Sequence, residues 1–404
     1  MKIAIVVPGR FHAFDLLRAL RDRGHEVVLF TNYPKWAVRR FGISPSCTRS
    51  FWVHGVISRI FEWFTRVLGV PYPETLLHTW FGRWACRVLE GERWDIIHAW
   101  SGVSEEMCLA PERVEGLHFL MRGSAHIRTQ VRILEEEQKR VGLPIDRPTG
   151  WMIEREEREY LLTDRIIVLS SFARDSFLQE GIPAEKVKLL PLGSDVRMFR
   201  PPKEVVEERA RRILSGGPIR VLYVGALSFQ KGLWDLGILA RSLASDSFRF
   251  RALGPVSREA KRFLREQRGF LEIIRKKKQS DLPIWYRWAD LFVFPTLQDG
   301  YAMVLAQAQA GGLPILATTH CSGPDLIEEG KTGWLFPVRS PSAMVYRLRW
   351  CQEHRKELSE MVRFLGQSYQ PRDWDDVARD FETISLQALA GKSLSGRDAA
   401  EGKS

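Results

Sequence analysis

The chain has 404 residues, of which 45% are hydrophobic and 27% are charged, and its formal net charge is +11. This length exceeds one ordinary hydrophobic core and predicts two domains, while the composition excludes a disordered or fibrous protein. The five scattered cysteines form no zinc or disulfide pattern, and no apolar run reaches the roughly 18 residues of a membrane-spanning helix. We therefore expect a cytoplasmic protein without a bound metal.

The positive charge predicts contact with an anionic partner, such as a phosphorylated small molecule or an anionic membrane. A generally arginine-rich surface explains the same charge without any partner. Nucleic acid is not an expected partner, because the sequence contains no zinc finger, RNP signature or paired basic helix.

Two parts of the chain begin with the same order of elements. Near the N-terminus the apolar strand "KIAIVV" is followed by the loop "PGRFH", an amphipathic helix and the strand "HEVVLFT". The order restarts at residue 218 with the strand "PIRVLYVG", the loop "ALSFQKG" and another helix and strand. Strands that alternate with helices are typical of parallel sheets. The sequence thus predicts an α/β protein with two Rossmann-like domains.

The Pro-rich segment "LPLGSDVRMFRPPKE" is typical of a linker between such domains. We assign residues 1–195 to an N-terminal domain, 196–366 to a C-terminal domain and 367–390 to a final amphipathic helix. Residues 391–404 have nothing to bury, so we expect them to be disordered.

The segment "FWVHGVISRIFEWFTRVLGV", residues 51–70, is apolar around most of a helix and has only a narrow polar strip, formed by Arg59, Glu62 and Arg66. The commoner origin of such a pattern is a helix packed inside a domain. The other interpretation is a surface that meets a membrane or a lipid-linked substrate.

Candidate binding residues follow two strands of the C-terminal half. In open parallel sheets, ligands bind beyond the carboxyl ends of the strands. Gly225 and Lys231 lie in the loop "VGALSFQKG", where the lysine could reach a phosphate. Asp299 lies in the loop "TLQDG", which follows the strand "LFVFP".

The helix after Asp299 is predicted to begin near Ala302. The amides in its first turn belong to Gly300, Tyr301, Ala302 and Met303. Free amides at a helix N-terminus bind anions, and a diphosphate suits them. Gln307 lies one turn beyond Met303 and could bond a hydroxylated group such as a ribose. The competing interpretation of Asp299 is a simple helix cap.

The run "FVFPTLQDGYAMVLAQAQAGGLPILATTHCSGPDLIEEGKTGWLFP" resembles the signature of retaining GT-B glycosyltransferases of glycosyltransferase family 4. That family shows P-S-x-x-E-G-F-G, then E-A-x-A-x-G-x-P-V, then P-E-L. The segments "VGALSFQKG", "LPLGSDVRMFRPP", "DRIIVLSSFARDSF" and "DIIHAW" are similar to further motifs of the family. The similar segments span most of the chain in the family's order.

The resemblance implies the GT-B fold, in which two Rossmann-like domains face each other across a cleft and the final helix returns to the N-terminal domain. It also implies transfer of a sugar from an NDP-sugar, UDP or GDP, to a glycan or lipid-linked acceptor. The anomeric configuration would be retained, and neither a metal nor another cofactor would be needed. Peripheral attachment to the inner face of a membrane fits such an acceptor.

By the same resemblance, Lys231 contacts the diphosphate and the amides from Gly300 to Met303 hold its distal phosphate. Asp299 takes the place of a glutamate that touches the donor sugar, and Gln307 that of a glutamate that holds the ribose. The family's first loop corresponds to Pro8, Gly9, Arg10, Phe11 and His12, of which Gly9, Arg10 and His12 are predicted to contact the donor. His126 corresponds to the histidine that approaches the donor sugar, and Arg122 is a further candidate for a phosphate or acceptor contact.

The chain departs from the usual family pattern at Asp299 and Gln307, and at Ala226, where an arginine is common. Cys321 and Ser322 replace a glycine pair. One branch of the family has the motifs D-G-F-x-x-V-x-x-Q-A and G-x-F-H. This branch shares the aspartate and the glutamine that stand at Asp299 and Gln307. The alternatives are a nucleotide-sugar-binding protein with little or no turnover, a nucleotide-sugar epimerase of the same fold, and a phosphorylase with a pyridoxal phosphate lysine.

Three other histidines receive separate predictions. His25 begins a strand and is predicted to be structural. His98 ends a strand and is predicted to face the cleft between the domains, and His320 lies near the donor region.

Overall fold

The computed structural model describes residues 1–243 and 247–401, and within them the strands form two sheets. The strands of the first sheet are β1 (Lys2–Val7), β2 (Glu26–Thr31), β3 (Thr48–Ser50), β4 (Ile96–Trp100), β5 (Leu117–Arg122), β6 (Arg165–Val168) and β7 (Val187–Leu189). They are paired in parallel in the order β3-β2-β1-β4-β5-β6-β7. The helices of this half are α1 (Ala13–Asp22), α2 (Lys35–Val38), α3 (Trp52–Leu68), α4 (Glu74–Leu89), α5 (Glu105–Cys108), α6 (Ile127–Val141), α7 (Gly150–Leu162) and α8 (Ser171–Gln179).

The strands of the second sheet are β8 (Ile219–Val224), β9 (Phe248–Gly254), β10 (Leu271–Arg275), β11 (Leu291–Phe294), β12 (Ile315–Thr318) and β13 (Gly333–Phe336). They are also parallel, in the order β10-β9-β8-β11-β12-β13. The helices that follow the first half are α9 (Lys203–Leu214), α10 (Leu233–Leu243), α11 (Lys261–Glu266), α12 (Pro283–Trp288), α13 (Met303–Ala310), α14 (Gly323–Leu326), α15 (Pro341–Glu353), α16 (Arg355–Ser368) and α17 (Trp374–Glu401).

The central strands are buried on both faces, as expected for parallel sheets covered by helices. In β1, every residue from Ile3 to Val7 has a relative exposure of 0%. In both sheets the strand order reverses beside the first strand, between β1 and β4 and between β8 and β11. Such a reversal opens a crevice at the carboxyl ends of the strands. The prediction of two Rossmann-like domains in a GT-B arrangement is confirmed.

The last helix, α17, packs on the N-terminal domain, as predicted for this fold. The Phe381 ring lies against Phe119 of β5, and Arg23 beyond α1 forms an ion pair with Glu382 at 2.7 Å. The backbone of residues 391–401 continues α17, and the disorder expected for residues 391–404 stays a prediction. That stretch contains no proline to stop a helix already held by its packed first half. Residues 402–404 lie outside the described part.

The chain passes between the domains twice, at two adjacent points. Ser194 N donates to Arg372 O at 2.9 Å, and a methyl group on Gly193 would lie 2.2 Å from Asp373 O. Glycine is therefore required where the two connections touch. The boundaries at residues 195 and 366 remain predictions, although the two sheets lie on either side of them.

Helix α3 is not packed inside the domain, so that interpretation of residues 51–70 is wrong. The residues of α3 that are buried are His54, Gly55 and Ser58. Its aromatic and aliphatic side chains are largely exposed, including Trp63 at 53% and Val67 at 56%. Across the described ranges, no helix is both long and apolar enough to cross a bilayer.

Candidate functional site

The switch point of the second sheet brings together Lys231 and Asp299. The loops after the neighbouring strands β8 and β11 carry these residues, and Lys231 Nζ donates to Asp299 Oδ2 at 2.7 Å and to Gln298 O at 3.1 Å. Gly232 has a φ of 76°, and a methyl group there would lie 1.8 Å from Pro295 O. Only glycine fits this turn, which holds Lys231 against the neighbouring loop.

Gly225, at the end of β8, has a local packing role in the structure. A methyl group on it would lie 3.0 Å from the Tyr223 hydroxyl, which donates to Ala226 O at 2.8 Å. The Gly225 carbonyl also packs closely against Gly254, where a methyl group would lie 1.8 Å from it. Gly225 therefore shapes the loop that carries Lys231.

Three of the four amides predicted to be free already have partners. Tyr301 N donates to Asp299 Oδ1 at 3.2 Å, Ala302 N donates to Ser322 Oγ at 3.1 Å, and Met303 N donates to Tyr301 O at 3.1 Å. The loop turns back on itself before α13, so short polar side chains and a carbonyl reach these amides. The expectation of an uncapped first turn is thus wrong for these three groups. Asp299 forms the turn and pairs with Lys231 at the same time.

Gly300 lies where the two domains touch. A methyl group on it would lie 2.1 Å from Gly123 O, and nearby Ser124 Oγ donates to Gln298 Oε1 at 2.6 Å. The Tyr301 hydroxyl donates to Leu192 O at 3.0 Å, on the N-terminal side of the linker. The loop before α13 is consequently an interdomain contact, which the sequence did not reveal because its partner is about 175 residues away.

Gln307 is buried in the middle of α13, with an exposure of 7%. Its Oε1 accepts a hydrogen bond from the Tyr286 hydroxyl at 2.9 Å. The fully buried Tyr286 was not among the predicted residues, yet it fixes the orientation of the Gln307 amide. Gln307 Nε2 donates no hydrogen bond to any of the described residues. This N–H group is therefore available to a ligand in the cavity described next.

A cavity of about 520 Å³ lies between the domains. From the N-terminal domain it is lined by the loop after β1, and from the C-terminal domain by the first turns of α13. Its lining residues are Arg10, Phe11, His12, Asp15, Arg18, Leu192, Ser194, Asp195, Val196, Met198, Gln279, Met303, Gln307 and Trp374. This volume is typical of pockets that bind small molecules. The predicted residues Arg10, His12, Met303 and Gln307 therefore share one cavity.

Arg10 is a cation without a carboxylate partner in the described part of the chain. Its guanidinium lies 4.2 Å from the centre of the Phe41 ring, which positions it without neutralising it. Helix α1 begins three residues later and has no side-chain cap at its N-terminus. An unpaired guanidinium beside a helix N-terminus favours an anion in this cavity.

Phe11 lies in the loop that the resemblance assigned to the site, and its backbone conformation is unusual. It has a φ of 41°, and its ring is 62% exposed in the cavity wall. A bulky residue in the left-handed region costs roughly 1 kcal/mol or more, so its neighbours must hold it there. Only the backbone angle reveals this strain, because the residue type alone is ordinary.

His12 and His98 both pack against Trp100, with ring centres 5.0 and 5.2 Å from that of the indole. Burial lowers the pKa of His12 to about 4 and that of His98 to about 3. Both rings are therefore neutral at pH 7. His98 is fully buried against Phe381 of α17 and does not line the cavity, contrary to the prediction.

His126 is buried in the N-terminal domain. Its exposure is 3%, its ring packs against Tyr160 and Phe177, and its Nδ1 accepts the Arg128 amide at the start of α6. Burial lowers its pKa to about 4. The structure thus gives His126 the role of a helix cap with its ring in an aromatic cluster, and its approach to the donor sugar stays a prediction.

Two other candidates are also held by partners. Arg122 forms an ion pair with Glu156 at 2.9 Å. His320 donates from Nδ1 to Leu297 O at 3.1 Å and stacks on Phe172 at 4.6 Å, which joins the two domains. His25 lies 3.5 Å from Glu382, in the structural position predicted for it. In the described ranges no three histidine, cysteine or acidic side chains are grouped as a metal site.

Family models match both halves of the chain. The model "Glycosyltransferase Family 4" matches residues 10–197, and "Glycosyl transferases group 1" matches residues 218–354. The loop after β1 lies in the first match, and Lys231, Asp299 and Gln307 lie in the second. The two sides of the cavity therefore belong to segments that resemble glycosyltransferases.

The amylovoran biosynthesis glycosyltransferase AmsK of Erwinia amylovora is 25% identical, over 56% of this chain and 58% of its own length. A GDP-mannose-dependent alpha-mannosyltransferase of Mycobacterium tuberculosis is 27% identical over 91% of each chain. The first curated relatives are matched over only 54% to 58% of their length. The crystal structure of Anabaena HepE in complex with UDP has a similar fold, with a TM-score of 0.66, 14% identity, and coverage of 96% of this chain and 100% of that chain.

Proposed function

We propose that this chain is a retaining, metal-independent glycosyltransferase that uses an NDP-sugar, with UDP or GDP as the nucleotide. The observation that carries the proposal is the cavity between the domains, where the unpaired Arg10 and the N-terminal end of α1 face the first turns of α13. An anionic, hydroxylated ligand of nucleotide size fits this combination of charge, amides and volume. The family matches on both sides of the cavity support the same activity.

In the proposal, the diphosphate binds to Arg10, the N-terminal end of α1 and Lys231. Lys231 is now paired with Asp299 at 2.7 Å, so it would exchange the carboxylate for phosphate oxygens when the donor binds. Asp299 Oδ2 would then be free to accept a hydrogen bond from a hydroxyl of the donor sugar. Gln307 Nε2, the unpaired donor beside the Tyr286 contact, would bond the ribose.

The reaction forms a bond between the acceptor oxygen and the anomeric carbon and breaks the bond from that carbon to the diphosphate oxygen. The acceptor proton passes to the leaving diphosphate, so no protein side chain has to act as the base. Arg10 and Lys231 would stabilise the negative charge that develops on the leaving group. This division of labour is consistent with the buried position of His126 away from the cavity.

The acceptor is proposed to be a glycan or a lipid-linked glycan, and the site of action the cytoplasm, at the inner face of the membrane. Relatives named for amylovoran biosynthesis and as an alpha-mannosyltransferase support a glycan product. All five cysteines are free, which suits a reducing compartment.

A thermal-shift titration with UDP, GDP and ADP and their sugars tests donor binding. One of these ligands is expected to raise the melting temperature in proportion to the logarithm of its concentration. Arg10→Ala should weaken that binding at least about tenfold, because one charge-assisted phosphate contact is worth roughly 1.5–3 kcal/mol. Arg93→Ala, at an arginine with a 90% exposed side chain, is the matched control. Equal binding by Arg10→Ala and the control would contradict the proposed donor site.

Transfer itself is tested with the donor identified in this way. Lys231→Ala should reduce the transfer rate about a hundredfold or more, while Lys331→Ala, at an exposed lysine, should not. The product's anomeric proton in NMR spectra should show the configuration of the donor, and inversion would refute the retaining mechanism. Loss of activity in EDTA with recovery in Mg²⁺ or Mn²⁺ would refute metal independence. A donor that binds without any transfer would favour a binding protein.

A further inference from the structure

Helix α3 is amphipathic in the opposite sense to a core helix. The side that packs on the protein carries His54, Gly55 and Ser58. The opposite side carries large apolar residues at helical spacing, all exposed by 44% to 56%: Trp52, Val56, Ile60, Trp63 and Val67. A helix that turns its aromatic and branched residues to solvent needs a partner to cover them.

The exposed apolar residues of the molecule are concentrated in this one region. Of the 23 large hydrophobic residues that are exposed in the described part of the chain, ten lie between residues 52 and 76. Monomeric proteins rarely leave so many apolar side chains together on the surface. The concentration indicates a docking surface, which we define as the outer face of α3 with the segment to Leu76.

A groove of about 990 Å³ lies beside this docking surface, between α3, α4 and the start of α7. Its walls are mainly apolar and aromatic, with Ile57, Tyr72, Leu77, Trp80 and Trp151 among its lining residues. The groove extends the apolar area beneath the helix. Acyl chains are the apolar groups that a continuous face and groove of this size can accept.

The border of the docking surface carries more basic than acidic residues, with Glu62 between Arg59 and Arg66 on one edge. Arg59 and Arg66 follow one edge of the apolar face, and the Arg59 guanidinium lies 5.5 Å from the centre of the Tyr33 ring. The exposed turn that follows Tyr33 contains Lys35, Trp36, Arg39 and Arg40. At the other end of α3, a methyl group on Gly69 would lie 3.3 Å from Arg258 Nη1. Apolar residues bordered by arginine and tryptophan are typical of helices that lie in the interface of an anionic membrane.

We propose that the docking surface binds the surface of an anionic bilayer, with α3 lying parallel to the membrane plane. A second copy of the chain is a poorer partner, because a symmetric pair would bring the same basic borders together. Bilayer binding would hold the N-terminal domain at the membrane, where a lipid-linked acceptor lies. Access to a lipid-linked acceptor rests on the proposed function, whereas membrane binding by the docking surface does not.

Vesicle sedimentation tests the docking directly, using the full chain and no nucleotide. We expect the protein to sediment with vesicles of phosphatidylcholine and phosphatidylglycerol, and to bind pure phosphatidylcholine vesicles at least about tenfold more weakly. Binding should also weaken as NaCl rises from 0.1 to 0.5 M, as roughly expected from screening of the basic border. The double variant Trp63→Ser/Val67→Ser should lower the partition coefficient at least about tenfold, because two apolar anchors are lost.

Leu161→Ser/Tyr346→Ser is the matched control, since these side chains are 74% and 71% exposed outside the docking surface. It should bind vesicles like the wild type. Wild-type protein that stays in the supernatant with anionic vesicles would overturn the proposal. So would equal binding by the Trp63→Ser/Val67→Ser variant, or a concentration-dependent dimer that this variant abolishes without any vesicle binding. Donor binding in the thermal-shift assay is independent of these results, so the two proposals can fail separately.

Discussion

Helices α3 and α13 are both rich in apolar residues, yet the protein uses them in opposite ways. Helix α13 is short and built from small residues, and every position from Leu305 to Ala310 is buried, including two glutamines. Helix α3 carries large aromatic and branched residues and buries only a histidine, a glycine and a serine. The size and polarity of the side chains therefore do not decide which of them are buried in these two helices. The segments that each helix packs against decide it.

The difference has a physical basis in what each helix must touch. The small side chains of α13 allow it to pack closely in the domain core. Each of its buried glutamines is held by a hydrogen bond: the Tyr286 hydroxyl donates to Gln307 Oε1, and Gln309 Nε2 donates to the Leu326 carbonyl. Hydrogen bonds of this kind offset part of the cost of burying a polar side chain. The small inner residues of α3 let it approach the Asn32 carbonyl, where a methyl group on Gly55 would lie at 2.3 Å. Because the small residues of α3 face the protein, its large residues face the solvent.

The largest expected contrast is in stability. Leu305→Ala in α13 should lower the free energy of unfolding by about 3 kcal/mol, because it opens a cavity at a fully buried position. Ile60→Ala in α3, where the side chain is 48% exposed, should change it by less than about 0.5 kcal/mol. Urea denaturation of both variants measures the difference. Equal losses would mean that α3 packs inside the protein in solution.

Gly300 tests whether the loop before α13 is an interdomain contact. Gly300→Ala should cost about 2 kcal/mol of stability and widen the cleft, because its methyl group would overlap the Gly123 carbonyl. Gly217→Ala is the control, since a methyl group there meets nothing within 4 Å. Thermal unfolding and small-angle scattering should show a lower melting temperature and a larger radius of gyration for Gly300→Ala alone. Identical profiles for the two variants would mean that Gly300 does not contact Gly123 in solution and that the domains lie further apart than in this structure.

The hydrogen bond to Gln307 gives a smaller effect. Tyr286→Phe should lower stability by about 1 kcal/mol, because it leaves the buried Gln307 carbonyl oxygen without its donor. It should also weaken nucleotide binding if Gln307 holds the ribose. Tyr346→Phe, at a residue that is 71% exposed, should do neither. Chemical denaturation and the thermal-shift titration measure the two effects separately.

The smallest expected effect is a local pH dependence of α3. Burial lowers the pKa of His54, so the folded state binds fewer protons at this site than the unfolded state. The stabilisation of α3 is then present at neutral pH and declines as the pH falls below the ordinary histidine value of about 6.5. Helix α13 has no histidine or acidic residue. Hydrogen exchange, corrected for the intrinsic rate, should speed up more in α3 than in α13 between pH 7.5 and 5.5.

Much of the fold could be predicted from the sequence. The apolar runs of β1 and β8, the loops that follow them and the restart near residue 218 depend on local order along the chain, so the two parallel-sheet domains were visible in advance. The positions of Lys231 and Asp299 also followed, because both residues come directly after strands of a single sheet. Their direct pairing required the strand order, which puts β8 beside β11.

Other features of the candidate site could not be predicted. The amides of Tyr301, Ala302 and Met303 were expected to be free, but a loop side chain, a serine from another loop and a backbone carbonyl occupy them. His126 was expected at the donor, but its ring lies in an aromatic cluster. The partners of these amides and the packing of the His126 ring are set by the tertiary fold, which the order of residues along the chain does not show.

The sequence by itself determined the succession of strands and helices and the family resemblance, because these depend on residue types at short spacings. The tertiary structure alone decided which side of α3 faces the solvent, which amides keep a partner and which charge in the cavity is unpaired. Each of these depends on contacts between segments far apart along the chain. Residue type sets the preference of a side chain for water or for the core, and the packed partners decide whether that preference is met.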